Sequence, residues 1–262
     1  MNFHHIVYRK EGAVAYILLN HPEKRNPINF ETHHELYQAF DLCDDDDEIR
    51  AVVIRGAGGN FSAGGDLNAM KARIDANICG TQKVCRAGAE TNWRLRHVKK
   101  PVIAWIEGAV AGAGIALALA CDFQIISESS KCVFAFINIG FVPDSGAAYF
   151  VTRAIGTTRA TDLFMSGRPF TGKEAAQWGL FTEAVPDDQL EATVHAYIEK
   201  YSHGPTTAYA QIKEMINRAQ YGNYADGMSA EICCQSLCEQ TEDYREAVIA
   251  FLDKRSPEFR GK

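Results

Sequence analysis

Apolar positions along this chain switch between two spacings, and the switching divides it into strands and helices. Residues 6–8 and 13–19 are short apolar runs separated by Glu11-Gly12, the pattern of a β-hairpin. Between Phe30 and Cys43 apolar side chains return at helical spacing (Leu36, Ala39, Phe40, Cys43), which predicts an amphipathic helix. Apolar strands are predicted at 51–55, 102–106, 123–126 and 133–136. The stretch 67–97 reads as helical with its internal breaks open. Further helices are predicted at about 114–120, 145–155, 159–165, 173–178 and 190–200, and 206–262 is helical by pattern. Strands alternating with helices indicate an α/β fold. No fixed-period repeat is visible in the letters.

Two strand-to-helix junctions stand out. The strand 102–106 continues through Glu107-Gly-Ala-Val-Ala-Gly-Ala-Gly114 straight into an apolar helix. The strand 51–55 leads into Asn60-Phe-Ser-Ala-Gly-Gly-Asp-Leu67. Backbone N–H groups at a helix start lack an intrahelical partner and sit at the positive end of the dipole. Small residues leave those groups open to a ligand oxygen, so the two junctions could each give one N–H to a single carbonyl oxygen. Close packing of a helix on a sheet explains either segment, taken alone, equally well.

The ordered set of motifs goes further. Asn20-His-Pro-Glu-Lys-Arg-Asn26, Phe61-Ser-Ala-Gly-Gly-Asp-Leu67, Lys100-Pro-Val-Ile-Ala104 with Ala111-Gly-Ala-Gly114 and Cys121-Asp122, Gly140-Phe-Val-Pro-Asp-Ser-Gly146, Ala175-Ala-Gln-Trp-Gly-Leu180 and Phe251-Leu-Asp-Lys-Arg-Ser-Pro-Glu-Phe259 span nearly the whole chain. In this order they resemble the enoyl-CoA hydratase/isomerase (crotonase) superfamily. The resemblance implies a spiral of ββα units over residues 1–200 that binds acyl-CoA. It implies a helical C-terminal trimerisation region over 201–262 that completes the CoA site, in a homotrimer or dimer of trimers. It implies no cofactor and no metal, with coenzyme A entering as part of the substrate.

Carried over residue by residue, the resemblance puts an oxyanion hole on the backbone N–H groups of Gly65 and Ala113. Ala113 stands where many relatives have glycine, so the hole requires backbone angles that admit a Cβ. For the CoA moiety it points to Lys24 and Arg25 at the phosphates and to Ala63 at the adenine. Phe251 and Lys254 would reach the nucleotide from an adjoining subunit. The two glutamates used by the family's hydratases are missing: Ala116 and Phe136 occupy their positions. One carboxylate remains nearby, Asp144 in Val-Pro-Asp-Ser-Gly. This pattern resembles the family's single-aspartate isomerases, of the 1,2-epoxyphenylacetyl-CoA isomerase kind. A single base beside an enolate-stabilising oxyanion hole can remove a proton and return it elsewhere. Such a base needs an apolar pocket that penalises its charge, with Phe134, Phe136, Phe141 and Tyr149 as candidate walls. Asp after Pro and before Ser-Gly is equally a good helix cap.

Other residues are weighed the same way. Asp66 reads as a cap of the following helix, and Glu107 and Asp122 as turn and cap residues. Ser62 and Ser145 have no obvious His partner, which leaves nucleophilic catalysis without support. Relatives that attack an aromatic ring carry a His where this chain has Trp93, and His97 is out of register. Trp93, Trp105 and the Phe cluster hint at an aromatic or cyclic acyl group. Cys85 and Cys233 stay open as reactive thiols, while most of the 8 cysteines read as reduced small hydrophobes.

Composition narrows the partners. A net charge of −6, with no basic stripe, argues against nucleic acid. The N-terminus lacks the basic-then-apolar pattern of a signal peptide, and no run approaches the roughly 18 apolar residues of a membrane span. The expectation is a cytoplasmic acyl-CoA isomerase with Asp144 as its acid/base. The alternatives are a hydratase using a displaced carboxylate, a thioester hydrolase or dehalogenase, a catalytically inactive CoA-binding subunit, or an RNA-binding protein.

Overall fold

The computed structural model describes residues 3–78, 81–221 and 237–262. The chain opens with the hairpin of β1 (Ile6–Glu11) and β2 (Val14–Leu19). Strand β2, the short β3 (Pro27–Ile28) and helix α1 (Phe30–Asp45) form a first ββα turn. A second consists of β4 (Ala51–Gly56), β5 (Gly64–Gly65), α2 (Leu67–Asp75) and α3 (Thr81–Arg96). A third consists of β6 (Val102–Ile106), β7 (Ala109–Ala111) and α4 (Ala113–Ala120). The fourth consists of β8 (Phe123–Ser127), β9 (Lys131–Val133) and α5 (Ala147–Ser166). Strand β10 (Pro169–Thr171), α6 (Gly172–Gln177), β11 (Glu183–Val185), α7 (Leu190–Ser202), α8 (Thr206–Tyr221) and α9 (Glu242–Leu252) follow.

In each turn the longer strand joins one sheet and the shorter strand leaves it. The main sheet runs β1-β2-β4-β6-β8-β11, antiparallel only between β1 and β2. The short strands form β10-β9-β7 and the pair β3-β5. The turns begin at residues 14, 51, 102 and 123. The spiral therefore repeats in space but at uneven intervals in sequence, which is why the letters show no period.

Central parallel strands are covered on both faces, and β4 and β6 accordingly read as continuous apolar runs. Val52, Ile54, Val102 and Ile106 face the large core that contains α1 and α4. Val53, Ile103 and Trp105 face a second cluster closed by Leu190, Val194 and Ile198 of α7.

Several elements differ from the sequence expectation. The strand expected at 133–136 is β9, ending at Val133. Phe134 leaves the sheet to pack against Phe164 and Phe170, with ring centroids 4.9 and 5.6 Å away. The helices expected at 145–155 and 159–165 are one element, α5, broken at Gly156, whose φ is 75°. The stretch 67–97 separates into α2 and α3. At the C-terminus the helix stops at Leu252, and Lys254 turns the chain with a φ of 56°. The tail then returns to the core, where the Arg50 guanidinium donates to the carbonyls of Phe259 (3.1 Å) and Gly204 (2.6 Å).

Asp122 is more than a turn residue. Its Oδ2 accepts the Val102 N–H at 2.8 Å and pairs with the buried Lys213 ammonium at 2.7 Å. Lys213 and Asn217 thereby fasten α8 to the core, with Asn217 accepting from Arg96 at 2.9 Å.

Candidate active site

Helix α4 starts directly behind β7, and all eight of its residues are buried. Gly112 precedes it with a φ of 46°, a left-handed conformation that a side chain would strain. Its N–H donates to the Val133 carbonyl at 3.0 Å. Ala113 takes the first helical position, where an N–H has no intrahelical acceptor. Its own φ is negative, so the Cβ that distinguishes it from glycine brings no backbone strain.

The other glycine turn lies alongside. Gly64 has a φ of 85°, and a Cβ there would come within 2.7 Å of the Ala111 carbonyl. Glycine is required both for the conformation and for the close approach. Two buried polar side chains brace this turn. Ser62 Oγ donates to the Asn26 carbonyl at 2.7 Å and accepts the Gly64 N–H at 3.1 Å. The Asn26 amide donates to the carbonyls of Ala57 (2.9 Å) and Asn60 (2.8 Å). Sequence reasoning passed over both residues as structural supports; polar letters in an apolar stretch signal burial but not the partner.

Gly65, Ala113 and Asp144 line one cavity of about 40 Å³, together with Ile28, His33, Asp66, Met70, Arg73 and Val84. Two carboxylates reach it, and they are differently engaged. Asp66 caps α2, its Oδ1 accepting the N–H groups of Asn68 (2.9 Å) and Ala69 (3.1 Å). Asp144 does not cap α5: the N-cap is Gly146, and no side chain bonds to the helix start. The Asp144 carboxylate instead accepts the Cys85 thiol on Oδ2 at 3.4 Å, and its buried Oδ1 has no partner among the described residues.

Two further residues come to this region from distant helices, His33 to the cavity itself and Cys85 to the Asp144 carboxylate behind it. His33 of α1 is buried, and desolvation lowers its pKa from the ordinary 6.5 to about 4. It is a neutral imidazole whose Nδ1 has no partner among the described residues. Cys85 of α3 has its pKa pushed up to about 11, first by burial and then by the neighbouring Asp144 charge. It is a protonated thiol at neutral pH, which removes the case for a reactive thiolate. Gly88 makes the packing possible, because a Cβ there would lie 3.2 Å from His33 Nε2 and 2.3 Å from Ser145 Oγ. Neither His33 nor Cys85 carries a motif that would have marked it as part of this site.

The expected aromatic walls lie elsewhere. Phe134 is in the core. Phe136 sits over the α4 entry, its Cζ 3.7 Å from where a Gly112 Cβ would be, and does not line the cavity. Phe141 and Tyr149 do not line it either; the Tyr149 hydroxyl donates to the Gln220 carbonyl at 3.2 Å. Trp93 is exposed and stacks on His97, and Trp105 lies in the second core under Arg55. The apolar walls present are aliphatic: Ile28, Met70 and Val84. Ala116 is wholly buried within α4.

Of the residues expected at the CoA moiety, Lys24 and Arg25 are exposed on a tight turn beside Ala63, whose N–H donates to the Arg25 carbonyl at 2.7 Å. Lys254 is exposed after α9. The Phe251 side chain lies outside the described residues, as do Cys233 and Cys234. Among the described residues, no three His, Cys, Asp or Glu side chains are grouped to hold a metal ion.

A ββα spiral whose two glycine turns meet at one small cavity is the crotonase fold. The chain belongs to the enoyl-CoA hydratase/isomerase family, whose model matches residues 9–262. It is 33% identical to the trans-2-decenoyl-[acyl-carrier-protein] isomerase of Streptococcus mutans, over 100% of both chains. It is 35% identical to the 1,2-epoxyphenylacetyl-CoA isomerase of Escherichia coli, over 98% of both. Among solved structures, an enoyl-CoA hydratase from Polaromonas superimposes with a TM-score of 0.91 at 29% identity, covering 97% of this chain and 99% of the other. Relatives of similar identity thus carry both isomerase and hydratase names.

Proposed function

We propose that this chain is an isomerase that shifts a proton within the acyl group of an enoyl-CoA or ring-derived CoA thioester, through an enolate. The observation that carries the reading is the state of the two carboxylates: Asp66 is committed to capping α2, and Asp144 keeps an unengaged oxygen beside the two glycine turns. In this mechanism the N–H groups of Gly65 and Ala113 hold the thioester oxygen. Asp144 Oδ1 takes a proton from the carbon next to the carbonyl, or from its vinylogous position. Charge moves onto the thioester oxygen, where two fixed donors in a dry site stabilise it most. The same oxygen of Asp144 returns the proton to the other carbon, so the double bond migrates with no net change in atoms.

Hydration needs a second acid/base group to deliver water. In this cavity that role falls to Asp66, which would have to release two N–H groups of α2. Ala116 and Phe136 supply nothing. The names of the two isomerase relatives favour the same reading, although one of them is named for an acyl-carrier-protein thioester. We take CoA as the carrier because the exposed cations of Lys24 and Arg25 flank Ala63. The remaining parts of the reading are a cytoplasmic homotrimer or dimer of trimers, assembled through residues 201–262 against a core of 1–200, with no cofactor beyond the CoA of the substrate.

The test follows 2-enoyl-CoA and 3-enoyl-CoA by ultraviolet absorbance. Migration of the double bond is expected, and Asp144→Asn should abolish it while CoA-thioester affinity stays within about threefold, because the lost group acts on the transition state. Hydration of 2-enoyl-CoA, or undiminished turnover in Asp144→Asn, overturns the reading.

A further inference from the structure

We propose that Cys85 is a positioning residue for Asp144: its S–H holds Oδ2 and leaves Oδ1 as the oxygen that takes and returns the proton. The inference rests on the reading of Asp144 as the acid/base.

The geometry is specific. Cys85 Sγ lies 3.4 Å from Asp144 Oδ2, across 59 residues of sequence. It is on α3, whose close approach to the Asp144 loop depends on Gly88 one turn later. The same helix donates the Asn92 amide to the Ser145 carbonyl at 2.8 Å, so the loop is gripped on both sides of its turn. Ser145 itself holds a φ of 53°, the turn directly after Asp144. A thiol is a weak donor, but an ionised acceptor strengthens it. Oδ1 meanwhile is buried without a partner among the described residues, an arrangement that is costly unless a ligand meets it.

The charged groups that act on Cys85 are Asp144 and Arg73 of α2, while His33 of α1 and Asp66 line the cavity on which Asp144 borders. Arg73 favours the thiolate. Burial and the Asp144 charge outweigh it, and the thiol keeps its proton. The Asp144 charge thus helps keep the Cys85 proton on sulfur, as a donor to Oδ2.

The experiment uses the full chain with Cys85→Ala, Cys85→Ser and Asp144→Asn, each checked for native circular dichroism. Cys85→Ala should lower kcat about tenfold with KM within about twofold, the effect of one lost hydrogen bond to a charged group. Cys85→Ser, which keeps a donor, should restore most of kcat. Alkylation of Cys85 by iodoacetamide, read by peptide mass, should run several-fold faster in Asp144→Asn than in the unsubstituted chain at about pH 9, because the neighbouring charge that suppresses the thiolate is gone. Full kcat in Cys85→Ala, a Ser variant as slow as the Ala variant, or unchanged alkylation in Asp144→Asn would each overturn the proposal. If Asp144→Asn keeps its turnover, the acid/base reading fails and the positioning role falls with it. If Asp144→Asn is inactive while Cys85→Ala is fully active, only the positioning role fails. Should Cys85→Ala not fold, the Ser variant and the alkylation rates still decide.

Discussion

Helices α4 and α2 wall the same cavity, and they are built in opposite ways. Every residue of α4 is buried, whereas none of α2 is. α4 offers the cavity one backbone N–H at its start, and the rest of it is core. α2 offers side chains, Met70 and Arg73, while Leu67 and Ile74 stand exposed. The groups that would meet developing charge thus sit at the start of a wholly buried helix. The groups that would meet the variable part of a substrate sit on a helix with no buried residue. The two meet near one contact: a Cβ on Gly65 would lie 2.7 Å from the Met70 methyl, so Met70 covers the Gly65 side of the cavity.

The contrast can be broken most severely at Gly64. Gly64→Ala places a Cβ against the Ala111 carbonyl at a φ of 85° and shifts the adjacent Gly65 N–H. Losing one such donor costs roughly 10²–10³ in kcat. Steady-state rates, with circular dichroism to confirm folding, measure this; near-normal kcat would mean that the turn does not hold the reacting oxygen.

Stability should follow the same division. Leu117→Ala empties a buried site in α4 and should cost about 2–5 kcal/mol, whereas Leu67→Ala, 60% exposed on α2, should stay within about 0.5 kcal/mol. Urea unfolding of both variants is the comparison to make. Equal losses would show that α2 is covered by another copy of the chain, and dilution should then reduce the Leu67→Ala cost.

His33 adds a pH signature on the buried side. Its pKa falls from the ordinary 6.5 to about 4 on folding, so between those values the unfolded chain binds the proton that the folded chain refuses. The contribution of neutral His33 is complete above pH 6.5 and is lost as pH falls toward about 4. The slope reaches about 1.4 kcal/mol per pH unit. His33→Gln should flatten that part of the stability profile, and an unchanged slope would show that His33 is not desolvated. The smallest effect is expected at Met70. Met70→Ala should alter the ratio of kcat/KM between short and long acyl chains by less than about tenfold, with little change in unfolding free energy. A large loss of stability there would end the contrast between α2 and the buried α4.

The same division separates what was readable from what was not. The α4 segment could be read from its letters because a fully apolar helix behind a buried strand has only one place to go. The missing glutamates at Ala116 and Phe136 were readable only through the family resemblance, which says at which positions to look. Asp144 was ambiguous between cap and acid/base because its role turned on where α5 begins; with Gly146 as the cap, the carboxylate is spared. Phe134 and Trp105 looked like acyl-pocket walls because a large apolar side chain has the same letter in a core and in a site. Lys213 could not be matched to Asp122, nor Cys85 and His33 to the Asp144 loop, because those partners come from helices far apart in sequence.

The sequence by itself thus determined the strand–helix alternation, the two glycine turns and the absence of the paired glutamates. The first two are written in local spacing, and the third in the resemblance to the family's motifs. Only the tertiary structure decided that Asp144 caps no helix and keeps one buried oxygen without a partner among the described residues, that the apolar walls of the cavity are Ile28, Met70 and Val84, that His33 reaches it, and that Cys85 meets the Asp144 carboxylate. Those outcomes depend on how helices separated by dozens of residues lie against one another, and hydrophobic spacing states that a face is buried without stating what it is buried against.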